Sequence, residues 1–199
     1  EESGVLREKT WQEFLDTSLA LGNCPPLRGD NVVIITNGGG AGLLAADHFE
    51  RLGMPLKELK DISSDLRENI RNYMPAFGSP LNPVDISGTA TSDMYGGALK
   101  TAYRDEHVDG ILISVCPTAV TDVEAITETV INIHRQYKNL GKPFIMECQG
   151  GNECREAIMK LRDKGIPAYS TPEQAVNAMV ALRKYSHIMN KKEKLIKNI

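Results

Sequence analysis

Asn31-Val32-Val33-Ile34-Ile35-Thr36-Asn37-Gly38-Gly39-Gly40-Ala41-Gly42 is the stretch that decides the fold. Four consecutive apolar residues, all β-branched, leave no polar face, so this strand must be covered on both sides, as strands of parallel sheets are. The glycine-rich turn runs straight into Leu43–Leu52, a helical segment stopped by Gly53. Strand, glycine turn, helix is the opening of a βαβ unit.

The same rhythm recurs downstream. Leu56–Leu59 reads as a second strand, Ser63-Ser64-Asp65 as the cap of a helix to about Tyr73, and Val84-Asp85-Ile86 as a short strand inside a Pro- and Gly-rich stretch. Residues 91–104 read as helix and Gly110–Val115 as another buried strand. Thr121 with Glu124 forms a capping box for a helix to about Tyr137. Phe144-Ile145-Met146 is a strand, Asn152–Lys164 a helix and Ala168-Tyr169 a brief strand. Thr171-Pro172-Glu173-Gln174 opens the C-terminal helix, whose Lys191-Lys192-Glu193-Lys194 end reads as solvated. Alternation of this kind predicts an α/β fold: a flavodoxin-like, doubly wound parallel sheet of about five strands. Upstream, Thr10 and Glu13 form a capping box, and Trp11, Phe14, Leu15 and Leu19 fall on one face of a helix that ends near Gly22. Residues 1–29 are thus expected to be a helical arm and linker, packed outside a domain of residues 30–199.

The bulk numbers narrow the function. The chain has 199 residues, 41% hydrophobic and 25% charged, with net charge −3. An acidic balance disfavours nucleic acid as a partner, and no apolar run reaches the roughly 20 residues of a membrane span. Cys24, Cys116, Cys148 and Cys154 form no C-x-x-C pair and read as four free thiols of a reducing compartment. The chain opens on Glu1-Glu2-Ser3-Gly4, as a fragment of a longer polypeptide would.

In such a fold the ligand lies beyond the carboxyl ends of the strands. At Asn37, Gly38, Gly39, Gly40 and Ala41, consecutive backbone N–H groups and a helix N-terminus could hold a phosphate. The loop has no Lys-Ser/Thr and no G-x-G-x-x-G, so it is neither a Walker loop nor a dinucleotide fingerprint. It also lacks the hydroxyl-rich loop of an electron-carrying flavodoxin. A tight turn for close helix–strand packing is the plain alternative. Cys116-Pro117-Thr118-Ala119-Val120 offers a second helix start, with Thr118, Ala119 and Val120 as anion contacts. Cys116 as a nucleophile ranks below a small residue at a strand end, because no histidine is placed beside it. Asp85 reads as a loop-fastening carboxylate, and Glu147 could face the same cleft. His48, His107, His134 and His187 read as helix-face or surface residues, and no metal set is evident.

Taken in order, Thr36-Asn37-Gly38-Gly39-Gly40-Ala41-Gly42, Asn82-Pro83-Val84-Asp85, a strand ending near Pro117 and Gln149-Gly150-Gly151 resemble a known domain. It is the last domain of the α part of ADP-forming acyl-CoA synthetases (acetate–CoA ligases), itself similar to the C-terminal domain of the succinyl-CoA ligase β subunit. Gly4-Val5-Leu6-Arg7 resembles the stretch preceding it. The resemblance implies a cytoplasmic enzyme converting acyl-CoA, ADP and phosphate to carboxylic acid, ATP and CoA through a phosphohistidine. It implies partners too: a sister flavodoxin-like domain carrying that histidine, with CoA-binding and nucleotide-grasp domains. This chain lacks the family's Ser-His-Thr-Gly-Ser loop, so by itself it is expected to be inactive and to bind no cofactor tightly. Its part would be to steady the phosphoryl group, with an apolar surface for the sister domain. Similar domains are also fused to protein acetyltransferases, where they look catalytically silent, and a ligand-sensing role is the alternative.

Overall fold

The computed structural model describes residues 5–197; residues 1–4 and 198–199, and the side chains of residues 193–197, among them Glu193 and Lys194 of the lysine-rich end, lie outside the description. Five strands form one sheet: β1 (Val32–Thr36), β2 (Val84–Asp85), β3 (Gly110–Val115), β4 (Phe144–Cys148) and β5 (Ala168–Tyr169). They pair in the order β2-β1-β3-β4-β5, parallel throughout, the doubly wound arrangement expected. Among the described residues the eight α-helices are α1 (Trp11–Asn23), α2 (Gly39–Arg51), α3 (Leu59–Ile62), α4 (Leu66–Arg71), α5 (Ser92–Arg104), α6 (Val123–Tyr137), α7 (Asn152–Asp163) and α8 (Pro172–Lys197).

Every residue of β1, β3 and β4 is buried, which explains their continuous apolar runs. Val33, Ile35, Ile111, Ile113 and Met146 join the core under α3 to α7, while Val32, Ile34, Leu112 and Ile145 join a second core with α2 and α8. Strand alternation then puts Thr36, Ser114 and Glu147 on the α2/α8 face. The register makes them direct neighbours across the carboxyl edge of the sheet.

Several expectations need correction. Leu56–Leu59 is not a strand. The outer edge of β1 is taken by the Asn82 amide, whose Oδ1 accepts from Ile34 N–H (3.0 Å) and whose Nδ2 donates to Val32 C=O (2.8 Å) and Lys57 C=O (2.9 Å). A side chain thus satisfies the backbone that a strand would otherwise pair. The helix after Ser63 is shorter than expected and has no side-chain cap. Helix α6 is capped by Asp122, which accepts from Ala125 N–H (2.9 Å), and not by Thr121. Thr171 accepts from Gln174 N–H, but the Gln174 side chain turns to Asp16 and Ser170, so only half of that box forms. The Thr10–Glu13 box is complete.

The apolar face of α1 is buried only in part: Leu19 packs against the core, but the rest of the stripe does not. Trp11 is 73% exposed, Phe14 and Leu15 are exposed, and the helix buries Asp16, Thr17 and Ala20. Polar anchoring decides this: the Asp16 carboxylate accepts from Gln12 and Gln174, its carbonyl accepts from Tyr169 Oη (2.7 Å), and Thr17 donates to Glu8 (2.7 Å). Nor are there four free thiols. Cys148, ending β4, and Cys154, in the first turn of α7, form a disulfide with Cα atoms 5.4 Å apart; Cys24 and Cys116 are free. The pairing arises because a strand end and the following helix turn fold back on each other.

Candidate functional site

Three loops meet at the carboxyl edge. The first joins β1 to α2. Thr36 Oγ1 accepts from Gly38 N–H (3.0 Å) and donates to Gly38 C=O (3.2 Å), turning the chain tightly. Asn37, 3% exposed, is spent internally: Oδ1 accepts from Cys116 N–H and Nδ2 donates to Cys116 C=O, both at 2.8 Å. Its side chain therefore ties the ends of β1 and β3 and offers a ligand nothing.

The turn also needs its glycines. A Cβ on Gly38 would lie 2.5 Å from Cys116 Sγ, and one on Gly39 2.7 Å from Asp85 Oδ2. Gly40 is different, with nothing within 4 Å of its would-be Cβ. A glycine in the first turn of a helix, unforced by packing, leaves room for an approaching group. The first helical bond of α2 runs from Gly42 N–H to Gly38 C=O (3.1 Å), so the N–H groups of Gly39, Gly40 and Ala41 stand ahead of it. Gly38 supplies no side-chain cap for them.

The second loop follows β2. Asp85 Oδ1 accepts from Ser87 N–H (2.8 Å), the loop-fastening role expected of it, and holds Ser87 at φ 78°. The third follows β3. Thr118 Oγ1 donates to Gly88 C=O (3.0 Å), and Thr118 N–H donates to Thr121 Oγ1 (3.0 Å), stitching the second and third loops together. Thr118, Ala119 and Val120 are exposed but precede the first turn of α6, whose N-terminus is already occupied by the Asp122 carboxylate. A groove of about 590 Å³ beside them is lined by Asp122, Glu124, Glu153 and Glu156, with Lys160 as its one cation. Of the two helix starts singled out from the sequence, α2 is uncapped and α6 is filled.

The structure does not bring Glu147 into the cleft. It is fully buried, and neither carboxylate oxygen nor Ser114 Oγ has a hydrogen-bond partner. Burial pushes its pKa up to about 7; the neighbouring Ser114 hydroxyl, short of hydrogen-bond geometry, offsets part of this, and Glu173 adds to it. Burial likewise raises Cys116, against the Gln149 Nε2 donor at 3.2 Å. The sequence offered Glu147 as a cleft residue; the structure makes it a buried, unpartnered acid instead, and its signal was a carboxylate in an otherwise apolar strand. His48, His134 and His187 lie on helices and His107 in a loop, all away from these loops' contacts. Among the described residues no three potential ligands cluster to hold a metal, and no helix is long and apolar enough to cross a membrane.

A family model described as Ligase-CoA domain matches residues 32–192. The α subunit of acetate–CoA ligase [ADP-forming] I from Pyrococcus furiosus is 44% identical over 191 residues, 93% of this chain and 39% of that subunit. The dinucleotide-forming acetyl-coenzyme A synthetase 1 of Ca. Korarchaeum cryptofilum superposes with a TM-score of 0.90 at 33% identity, over 97% of this chain and 41% of its own; one of its structures is a complex with phosphate and ADP. The Thermus thermophilus succinate–CoA ligase [GDP-forming] β subunit is 28% identical over 76% of this chain and 33% of its own length. The chain spans between about a quarter and two fifths of the length of the acetate–CoA ligase relatives it matches. With a model matched across most of its length and a fold shared from end to end, the chain belongs to the Ligase-CoA domain family.

Proposed function

We propose that this chain is the phosphoryl-steadying domain of a cytoplasmic ADP-forming acyl-CoA ligase, which takes acyl-CoA, ADP and phosphate to carboxylic acid, ATP and CoA through a phosphohistidine. The observation that carries the reading is the bare N-terminus of α2: Gly39, Gly40 and Ala41 N–H uncapped, with open space at Gly40. Peptide dipoles and free N–H groups there favour an anion. The phosphate and ADP in the related synthetase supply the chemistry. Asn37 and Gly38 set the loop's shape, while Thr118, Ala119 and Val120 form the neighbouring wall.

The histidine, the CoA site and the nucleotide-grasp fold are supplied by sister domains, so the isolated chain does not turn over. The exposed apolar residues around the loop, Leu43, Leu44, Phe77 and Val120, suit a docking face for the histidine-bearing domain. The test is a phosphate titration followed by amide NMR. Saturable shifts centred on Gly39–Ala41 are expected; shifts spread over surface lysines, or none at that loop, would overturn the reading.

A further inference from the structure

We infer that Cys148 and Cys154 are a reversible redox couple that governs the Gln149-Gly150-Gly151 loop and, through Cys116, the shape of the β1–α2 turn. Both cysteines are 1% exposed and sit in the core under α6 and α7. Reduced thiols behave as small apolar residues, so the reduced form also suits this apolar surrounding, which is what a reversible couple needs. The Cα separation of 5.4 Å lies within the range that disulfides span.

The bridge closes a short ring across the end of β4 and the first turn of α7. Helix α7 starts after Gly151 with no side-chain cap, so its first turn is held by the Arg155 N–H to Gly151 C=O bond (3.3 Å) and by the covalent tie. Inside the ring, Gln149 N–H donates to Val115 C=O (3.2 Å) and Gln149 Nε2 donates to Cys116 Sγ (3.2 Å). Gly150 is packed so closely that a Cβ there would lie 3.0 Å from Pro117 and 3.2 Å from Cys154 Sγ. Cys116 in turn is held by Asn37 through both backbone groups, and Gly38 lies against its sulfur. One contiguous set of contacts therefore runs from the disulfide to the uncapped start of α2. Reduction removes the tie, and two glycines without a cap let the turn fray.

The chemistry is thiol–disulfide exchange with a low-molecular-weight thiol. The S–S bond breaks, each protein sulfur ends as S–H with a proton taken from the small thiol, and two small thiols leave joined as one disulfide. Because both protein sulfurs are buried, exchange proceeds through opening of the first turn of α7 and is slow. Cys24 takes no part: it lies on the opposite face of the sheet, donates to Phe144 C=O, and burial raises its pKa to about 12. The couple stands independently of the phosphate reading; only its consequence for an anion at α2 rests on it.

The full chain, equilibrated in mixtures of reduced and oxidised glutathione, is quenched in acid and alkylated under denaturing conditions, and the modified cysteines are mapped. The expected result is a passage from two alkylated cysteines, Cys24 and Cys116, to four as the mixture becomes reducing. Hydrogen exchange on the same samples should then be at least about tenfold faster at Gln149–Arg155 in the reduced form, with a smaller change at Asn37–Ala41. Four alkylated cysteines in every mixture would abolish the couple. A two-to-four transition with unchanged exchange at both segments would leave a bridge that switches nothing. Cys154→Ala should show the reduced exchange pattern in all mixtures, and Cys24→Ala should leave the transition intact; should the first variant fail to fold, the wild-type titration still decides. Neither readout involves phosphate, so failure here and failure of the proposed anion site are separable.

Discussion

Replacing Glu147 with glutamine should make stability less dependent on pH, because Glu147 is a fully buried acid with no partner. Its pKa rises from 4.5 to about 7 on folding, chiefly by burial. The sign follows from which state binds the proton. Below pH 4.5 the acid is protonated in both folded and unfolded chains and costs nothing. Between pH 4.5 and 7 the unfolded chain ionises while the folded one does not, so stability falls as pH rises; above about 7 the loss levels off. At about 1.4 kcal/mol per pH unit the full loss is about 3 kcal/mol. Glutamine has no ionisation to suppress. Its own cost, an amide without partners beside Ser114, is the same at every pH and cancels in a difference. The assay is urea unfolding of both proteins at several pH values from 4.5 to 8.5. The stability of Glu147→Gln relative to wild type should rise by about 3 kcal/mol across that range. A relative change below about 0.5 kcal/mol would refute the reasoning and mean that Glu147 keeps an ordinary acidity inside the fold.

Five further substitutions test the site and the polar anchoring of α1. Gly40→Ala meets open space and replaces a poor helix former, so it should stabilise by about 1 kcal/mol in thermal unfolding while weakening the phosphate response at α2. Gly39→Ala pushes its Cβ against Asp85 and should instead cost about 1–2 kcal/mol. Asn37→Ala leaves both backbone groups of Cys116 unpaired and should destabilise by about 2–4 kcal/mol in urea unfolding. Trp11→Ser, on the solvent face of α1, should change stability by less than about 0.5 kcal/mol, whereas Asp16→Ala, which strands Gln174, should cost about 1–3 kcal/mol in the same measurement.

What could be read from the chain, and what could not, divides by the distance over which each feature is decided. The strands were legible because Val32–Ile35 and Ile111–Ile113 carry their burial in consecutive residues. Thr10–Glu13 was legible because a capping box is complete within four positions. The face of α1 was not, because Asp16 finds Gln174 and Tyr169 more than 150 residues away, and those bonds outweigh an apolar stripe that looked decisive locally. The same holds for Asn82, which replaces a strand by bonding to Ile34, 48 residues back. It holds also for Glu147, whose isolation depends on the register that sets it beside Ser114.

The candidate site shows where a local rule was available but ambiguous. Thr121 and Asp122 are adjacent, and each can cap a helix; shifting the cap by one residue gives the N-terminus of α6 a carboxylate in place of a hydroxyl. That single position separates two helix starts that looked alike in sequence. An anion approaching α6 meets the Asp122 charge and the acidic groove behind it, while one approaching α2 meets uncapped N–H groups with open space at Gly40, and the Asp85 carboxylate only to one side, against Gly39. Like-charge repulsion and a satisfied cap act together against α6. If these helices steady one phosphoryl group between them and a partner domain, the share borne by this chain falls on α2, and the loop at Thr118–Val120 contributes shape without charge.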